Sequence, residues 1–173
     1  MRLFIAIPIP EAVKEYIISI QEGFHKFPLR FVKPEQMHLT IDFLGEIPDN
    51  KVDGIIKNLD DVRSKPFNIR LTNLGSFPTK ERIRVIWIGI EKDETFIELQ
   101  KNIRKIFNHR GKLMPHLTIA RAREIIKDRR LSDEIEKFKT TSQEFPVSKF
   151  VLYKSEPTSQ GYVHSMVKEF PIE

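Results

Sequence analysis

The sequence predicts an α+β fold, and three observations carry that prediction. Apolar residues alternate with period two in some stretches and recur at helical spacing in others. The two kinds do not alternate strictly along the chain, which ends on consecutive strand-like runs. The chain has 173 residues, 40% of them hydrophobic and 13 of them Phe, with no low-complexity linker, so one core in a single domain spanning 1–173 is the expectation.

The elements follow in order. Residues 2–9 read as a strand. Pro10 and Glu11 then open a helix with Val13, Ile17, Ile20 and Phe24 on one face. The segment RFVKPEQMHLTIDFLG follows, with Gly45 as its stop. Asp49 is placed to cap a second helix carrying Val52, Ile55, Ile56, Leu59 and Val62, which Pro66 ends. FNIRLTNLG and RIRVIWIGI read as two strands joined by the turn-rich SFPTKE. In the second strand, regular alternation puts Ile83, Val85, Trp87 and Gly89 on one face, with Arg84, Ile86, Ile88 and Ile90 on the other. A third helix is expected over about 94–108, with Phe96, Leu99, Ile103 and Ile106 inward. MPHLTIAR, a short helix near 131–138, and the strands FPVSKFVLY and GYVHSMVKEF complete the chain.

Composition removes several classes of function. There is no Cys, which excludes a disulfide framework, a thiolate zinc site and a cysteine nucleophile. The opening apolar run is broken by Pro8 and Pro10 and lacks a small-residue cleavage site. It is too short to span a bilayer, so the expectation is a cytoplasmic protein with no membrane partner. The net charge is +5, and residues 101–130 hold ten Lys/Arg against two acids. Such a zone favours a polyanionic or phosphate-bearing partner over a neutral one.

The tetrapeptide HLTI occurs twice, as His38-Leu39-Thr40-Ile41 and His116-Leu117-Thr118-Ile119. On a strand, Leu and Ile share one face and belong to a core, while His and Thr share the other. Two facing imidazoles form a general acid and base pair near neutral pH. That pair suits in-line displacement at phosphorus, with Thr40, Thr118 and a cation, Arg121, binding the non-bridging oxygens. Two titrating imidazoles also predict a bell-shaped rate profile with limbs on either side of neutrality. Two His without Cys or a carboxylate at ligand spacing make a poor zinc set, and no metal is expected. Neither a nucleophile elbow nor a phosphate-cradling Gly-rich loop is present. His25, His109 and His164 read as structural or surface residues, and Asp42 is left unassigned. Phe43, Phe77, Trp87 and Tyr153 are candidate base platforms for which a core role is favoured.

The doubled motif resembles the His-x-Thr-x signatures of the 2H phosphoesterase superfamily. MRLFIAIPIP, FVKPEQMHLTIDFLGE, LGSFPTKERIRVIWIGI, PHLTIARAR, FVLYKSE and GYVHSMVKEFPI together resemble its RNA 2′,3′-cyclic phosphodiesterase branch, long called 2′-5′ RNA ligase. The resemblance implies a bilobal α+β fold in which two antiparallel sheets, related by a pseudo-two-fold axis, flank a central cleft with helices outside. It implies one HLTI strand in each lobe and hydrolysis of RNA 2′,3′-cyclic phosphate ends to 2′-phosphomonoesters. In that scheme His38 donates a proton to the departing 3′ oxygen, His116 accepts one from water, and Thr40, Thr118 and Arg121 hold the phosphate. It implies no cofactor, reversible 2′-5′ RNA ligation as a companion activity, and a monomer acting on RNA, with tRNA or tRNA fragments among the candidates. The connection NHRGKLM before the second motif is shorter than in many relatives. Two readings compete with it: a 2H phosphoesterase acting on a small cyclic nucleotide or other cyclic phosphate, and a catalytically inactive RNA-binding module.

Overall fold

A computed structural model describes every residue except Lys112 and Gln160. Among the described residues there are nine strands and four α-helices. They are β1 (Arg2–Pro8), α1 (Glu11–Glu22), β2 (Leu29–Phe31), β3 (His38–Glu46), α2 (Val52–Asp60), β4 (Phe67–Pro78), β5 (Ile83–Ile90), α3 (Glu94–Ile106), β6 (His116–Ile126), α4 (Arg129–Lys137), β7 (Glu144–Val147), β8 (Lys149–Thr158) and β9 (Gly161–Pro171). The strands form two antiparallel sheets, β3-β1-β8-β9 and β2-β6-β5-β4-β7. The α+β expectation holds, and each sheet carries one HLTI strand. None of the described helices is long and apolar enough to cross a membrane.

Leu39, Ile41, Leu117 and Ile119 are at most 1% exposed and join one continuous core. Burying each contributes about 1.5–3 kcal/mol. The helices face that core along the expected stripes, with Val13, Ile17 and Ile20 of α1 and Phe96, Leu99 and Ile103 of α3 buried. Asp93 caps α3 by accepting from the Phe96 backbone N–H at 2.8 Å.

Four local expectations are corrected. Asp49 does not cap α2: it opens a 3₁₀ turn, Asp49–Lys51, and its carboxylate lies 3.5 Å from the N-terminal ammonium. Gly45 does not stop the third strand but sits inside it at φ 74°, beside a register shift that leaves Leu44 unpaired. SFPTKE is not all turn, because β4 runs on through Phe77 and Pro78. FPVSKFVLY is two strands broken at Ser148, where the chain crosses from the second sheet to the first.

A further irregularity changes a face assignment. A register shift between Ile83 and Val85 brings Ile83 to the core with Ile86 and Ile88, all 0% exposed. Val85 and Trp87 are left on the opposite face, partly exposed. An extra residue in one strand inverts every later side chain, and the period-two pattern carries no sign of it.

The two HLTI strands share a bulge. Thr40 pairs with Ala6 and Asp42 with Ile5, so Ile41 has no partner. Thr118 pairs with Trp87 and Ala120 with Ile86, so Ile119 has none on β5. A bulge leaves a backbone carbonyl off the regular ladder, open to donors from outside it. Gln100 of α3 donates to the Ile41 carbonyl at 3.1 Å, and Gln21 of α1 donates to the Ile119 carbonyl at 3.0 Å. Both glutamines are buried. Each helix follows a strand of one sheet and clamps the motif strand of the other. These crossed clamps give the two-fold pattern a physical basis that the flanking sequences conceal.

Candidate active site

The bulge decides which residues accompany each HLTI. In a regular strand Asp42 would share a face with His38 and Thr40, and Arg121 would lie opposite Thr118. With Ile41 and Asp42 both buried, and Ile119 and Ala120 likewise, the next outward residues are Phe43 and Arg121. His38, Thr40, His116 and Thr118 are all partly exposed. Strands β3 and β6 pack directly against each other. The charge of Arg121 bears on both imidazoles, so the five expected residues occupy one region.

The imidazoles are held alike. His116 Nδ1 lies 2.7 Å from the Met114 carbonyl oxygen. An oxygen that can only accept keeps the proton on Nδ1 and leaves Nε2 as the basic atom. The backbone of Gln36, also two residues earlier, acts on His38 in the same sense, favouring its charged form. Burial, then His164, push the His38 pKa down to about 4; the Gln36 bond opposes this and Arg121 adds to it. Burial also lowers His116, against the Met114 bond and with help from Arg121. Partial desolvation lowers Arg121 as well, although the side chain is exposed and a guanidinium remains a cation at working pH.

Both imidazoles therefore sit below the ordinary value, and the bell expected around neutrality moves. A general acid and base pair needs one neutral and one protonated ring, so its kcat/KM reports the two macroscopic pKa values of the free pair. A profile from about pH 3.5 to 9 should peak below pH 6.5 and fall toward neutrality. The kcat profile should be displaced upward, because a bound phosphate anion favours the charged rings. A kcat/KM maximum above neutral pH would contradict the burial of His38. The stability consequence has the same sign. The folded state prefers neutral His38, so its contribution is complete above the ordinary value of 6.5 and is lost as pH falls toward about 4.

Aromatic rings flank each motif histidine. His38 lies 4.7 Å from Phe4, 5.3 Å edge-on from His164 and 6.1 Å from Tyr153, ring to ring. His116 lies 5.1 Å edge-on from Phe77 and 6.1 Å from Trp87. The core role favoured for Phe43, Phe77, Trp87 and Tyr153 is corrected. Phe43 is 55% exposed and the other three are partly exposed, because all four stand on sheet faces turned away from the core. His164 is likewise more than an ordinary late-strand residue. Its ring touches His38 and Phe4, and its buried Nδ1 has no partner among the described residues.

Gly75 exists for Trp87. A Cβ on Gly75 would come within 2.2 Å of the indole ring. Gly75→Ala should therefore expel the indole from beside His116 at a cost of about 1–3 kcal/mol. Trp87 is the single tryptophan, so its emission reads the displacement directly. Unchanged emission and unchanged melting would refute it.

Asp42 has no role that its sequence position alone reveals. The structure buries it to 2% exposure, with Arg104 at 2.6 Å and His109 at 2.6 Å. The basic stretch 101–130 is accordingly not one patch. Arg104 serves Asp42, Arg130 pairs with Asp128, and Arg121 and Arg123 line β6; Lys112 lies outside the described residues. Gln21 and Gln100 were also missed. Their signal was a lone amide within an apolar helical stripe, Ile17-Ile20-Gln21-Phe24 and Phe96-Leu99-Gln100-Ile103.

Comparison with known proteins finds the same fold. Residues 7–87 match the family described as LigT like Phosphoesterase. The chain is 39% identical over 175 residues to an RNA 2′,3′-cyclic phosphodiesterase of Methanocaldococcus jannaschii, covering 98% of this chain and 100% of that one. A crystal structure from Thermus thermophilus superposes with a TM-score of 0.83 at 27% identity, covering 99% of this chain and 98% of that one. E. coli LigT complexed with 3′-AMP superposes with a TM-score of 0.77 at 25% identity, covering 99% and 97%.

Proposed function

This chain belongs to the LigT-like 2H phosphoesterase family, and we propose that it is an RNA 2′,3′-cyclic phosphodiesterase whose catalytic unit is the whole of residues 1–173. The observation that carries this reading is the pair of identically bulged His-x-Thr strands, one from each sheet. The relative that shares 39% identity bears that activity in its name, and the E. coli neighbour binds a nucleoside monophosphate.

In the proposed reaction a water oxygen attacks phosphorus and passes its proton to His116 Nε2. The bond from phosphorus to the 3′ oxygen breaks, and that oxygen takes a proton from His38. The product is a 2′-phosphomonoester, and the two rings exchange protonation states before solvent resets them. Thr40, Thr118 and Arg121 bind the non-bridging oxygens as charge accumulates. Burial holds His38 neutral around neutral pH. Its role as acid therefore relies on the phosphate anion raising its pKa on binding. Ligation is the same displacement with the 5′-hydroxyl of a second RNA in place of water: the bond from phosphorus to the 3′ oxygen breaks and a 2′-5′ linkage forms. A monomeric cytoplasmic protein acting on tRNA ends belongs to the same reading. The test incubates RNA ending in a 2′,3′-cyclic phosphate with the protein and EDTA. A 2′-phosphomonoester is the expected product, and an intact cyclic end would refute the proposal.

A further inference from the structure

Beside Arg121 stands a second arginine that the proposed chemistry does not use. Strand β2 is short and lies at the edge of its sheet, and Arg30 at its centre pairs directly with Arg121 of β6. Directly opposed residues share a face, with Cβ atoms roughly 5 Å apart. Their neighbours Leu29↔Ala122 and Phe31↔Ala120 point to the other face, toward the core. Both arginines are exposed, and neither makes an ion pair among the described residues. Like charges directly opposed across a ladder destabilise it, so the arrangement calls for an anion.

The strand that carries Arg30 is firmly held. Val32 donates its N–H to the Ile119 carbonyl at 3.0 Å. The buried amide of Gln21 donates to both the Val32 and the Ile119 carbonyls, at 2.9 and 3.0 Å. The bulge clamp that sets the second motif thus also fixes Arg30 beside it. Arg121 bears on both imidazoles, whereas Arg30 has no such effect on either. Arg30 is therefore adjacent to the reacting phosphate's cation but farther from the reacting centre. Arg123 continues the same exposed row along β6, two residues beyond Arg121.

We infer that Arg30 forms a second phosphate subsite, which takes the phosphodiester next to the terminal cyclic phosphate and makes a polynucleotide end, rather than a mononucleotide, the preferred substrate. This inference rests on the proposed phosphodiesterase activity. A polynucleotide end supplies two anions in sequence, one for each opposed guanidinium, whereas a mononucleotide cyclic phosphate supplies only one.

The experiment compares a trinucleotide ending in 2′,3′-cyclic phosphate with adenosine 2′,3′-cyclic phosphate, for the wild-type, Arg30→Ala and Arg30→Lys proteins. The wild type should favour the trinucleotide in kcat/KM by about tenfold or more at low salt. Arg30→Ala should collapse that ratio about tenfold, chiefly through KM, and Arg30→Lys should restore part of it. The salt dependence of log KM for the trinucleotide should weaken by about 0.7 in slope, the value for one phosphate contact on a single strand. A wild type without length preference, or an Arg30→Ala loss of equal size on both substrates, overturns the subsite while leaving the activity standing. A wild type that hydrolyses neither substrate overturns the functional proposal and the subsite together.

Discussion

Replacing His116 by alanine should lower kcat by about 10²–10⁴, the usual worth of a positioned proton-transfer group. His38→Ala should do the same, and the double variant should be little worse than either single one, because the two rings act as one relay. The bell-shaped pH profile does not assign the roles, since either ring as donor gives the same macroscopic curve. The leaving group does. An aryl phosphodiester expels a weakly basic phenolate that needs no proton, so loss of the donor costs little on it, while loss of the acceptor still costs the full amount. If His38 is the donor, His38→Ala should be impaired on RNA cyclic phosphate yet close to wild type on the aryl ester. His116→Ala should be impaired on both. Rates within threefold of wild type for either variant on RNA ends would sink the acid and base pair altogether; the reverse pattern on the aryl ester would exchange the two roles. Both substitutions are at partly exposed positions, so the folded fraction of each variant is readily checked by melting.

The core of the site was legible in the sequence because it depends on alternation. Leu39, Ile41, Leu117 and Ile119 were assigned inward and His38, Thr40, His116 and Thr118 outward from period two alone, and the structure places all eight that way. What alternation hides is a change of phase. Arg121 lies three residues beyond Thr118, on the wrong face of a regular strand, and comes to the face of His116 and Thr118 through the bulge at Ile119. The matching bulge at Ile41 turns Asp42 inward and Phe43 outward. A bulge is specified by tertiary partners, here Gln21 and Gln100 from helices far along the chain, so no local window reveals it. The same limit explains Ile83 and the aromatic rings. Phe43, Phe77, Trp87 and Tyr153 have the composition of core residues, and only the register of their strands tells which face they occupy.

Asp42→Ala should be the most destabilising single polar substitution in the molecule, at about 3 kcal/mol, or roughly 10 °C in Tm for a chain of this size. Asp42 is a buried carboxylate on the first motif strand, bonded to Arg104 of α3 and to His109 beyond the helix. Arg104 also donates to the Arg110 carbonyl at 3.2 Å. Arg104 and His109 therefore converge on Asp42, and Met114, farther along the same connection, carries the carbonyl that fixes the His116 tautomer. Removing the carboxylate leaves a largely buried guanidinium, with 15% side-chain exposure, without its counter-charge. It also frees the segment that orients the proposed base. The two consequences are separable. Replacing the whole pair, Asp42→Leu with Arg104→Met, removes both charges and should recover much of the stability, since packed apolar residues often match or exceed a buried ion pair. It cannot restore the tie to His109, so kcat on RNA cyclic phosphate should stay reduced about tenfold while Tm returns toward wild type. A single Asp42→Ala variant that melts within 1–2 °C of wild type would show that the pair contributes as little as an exposed one. A double variant with full kcat would show that the connection needs no tether from the first motif strand to hold His116 in place.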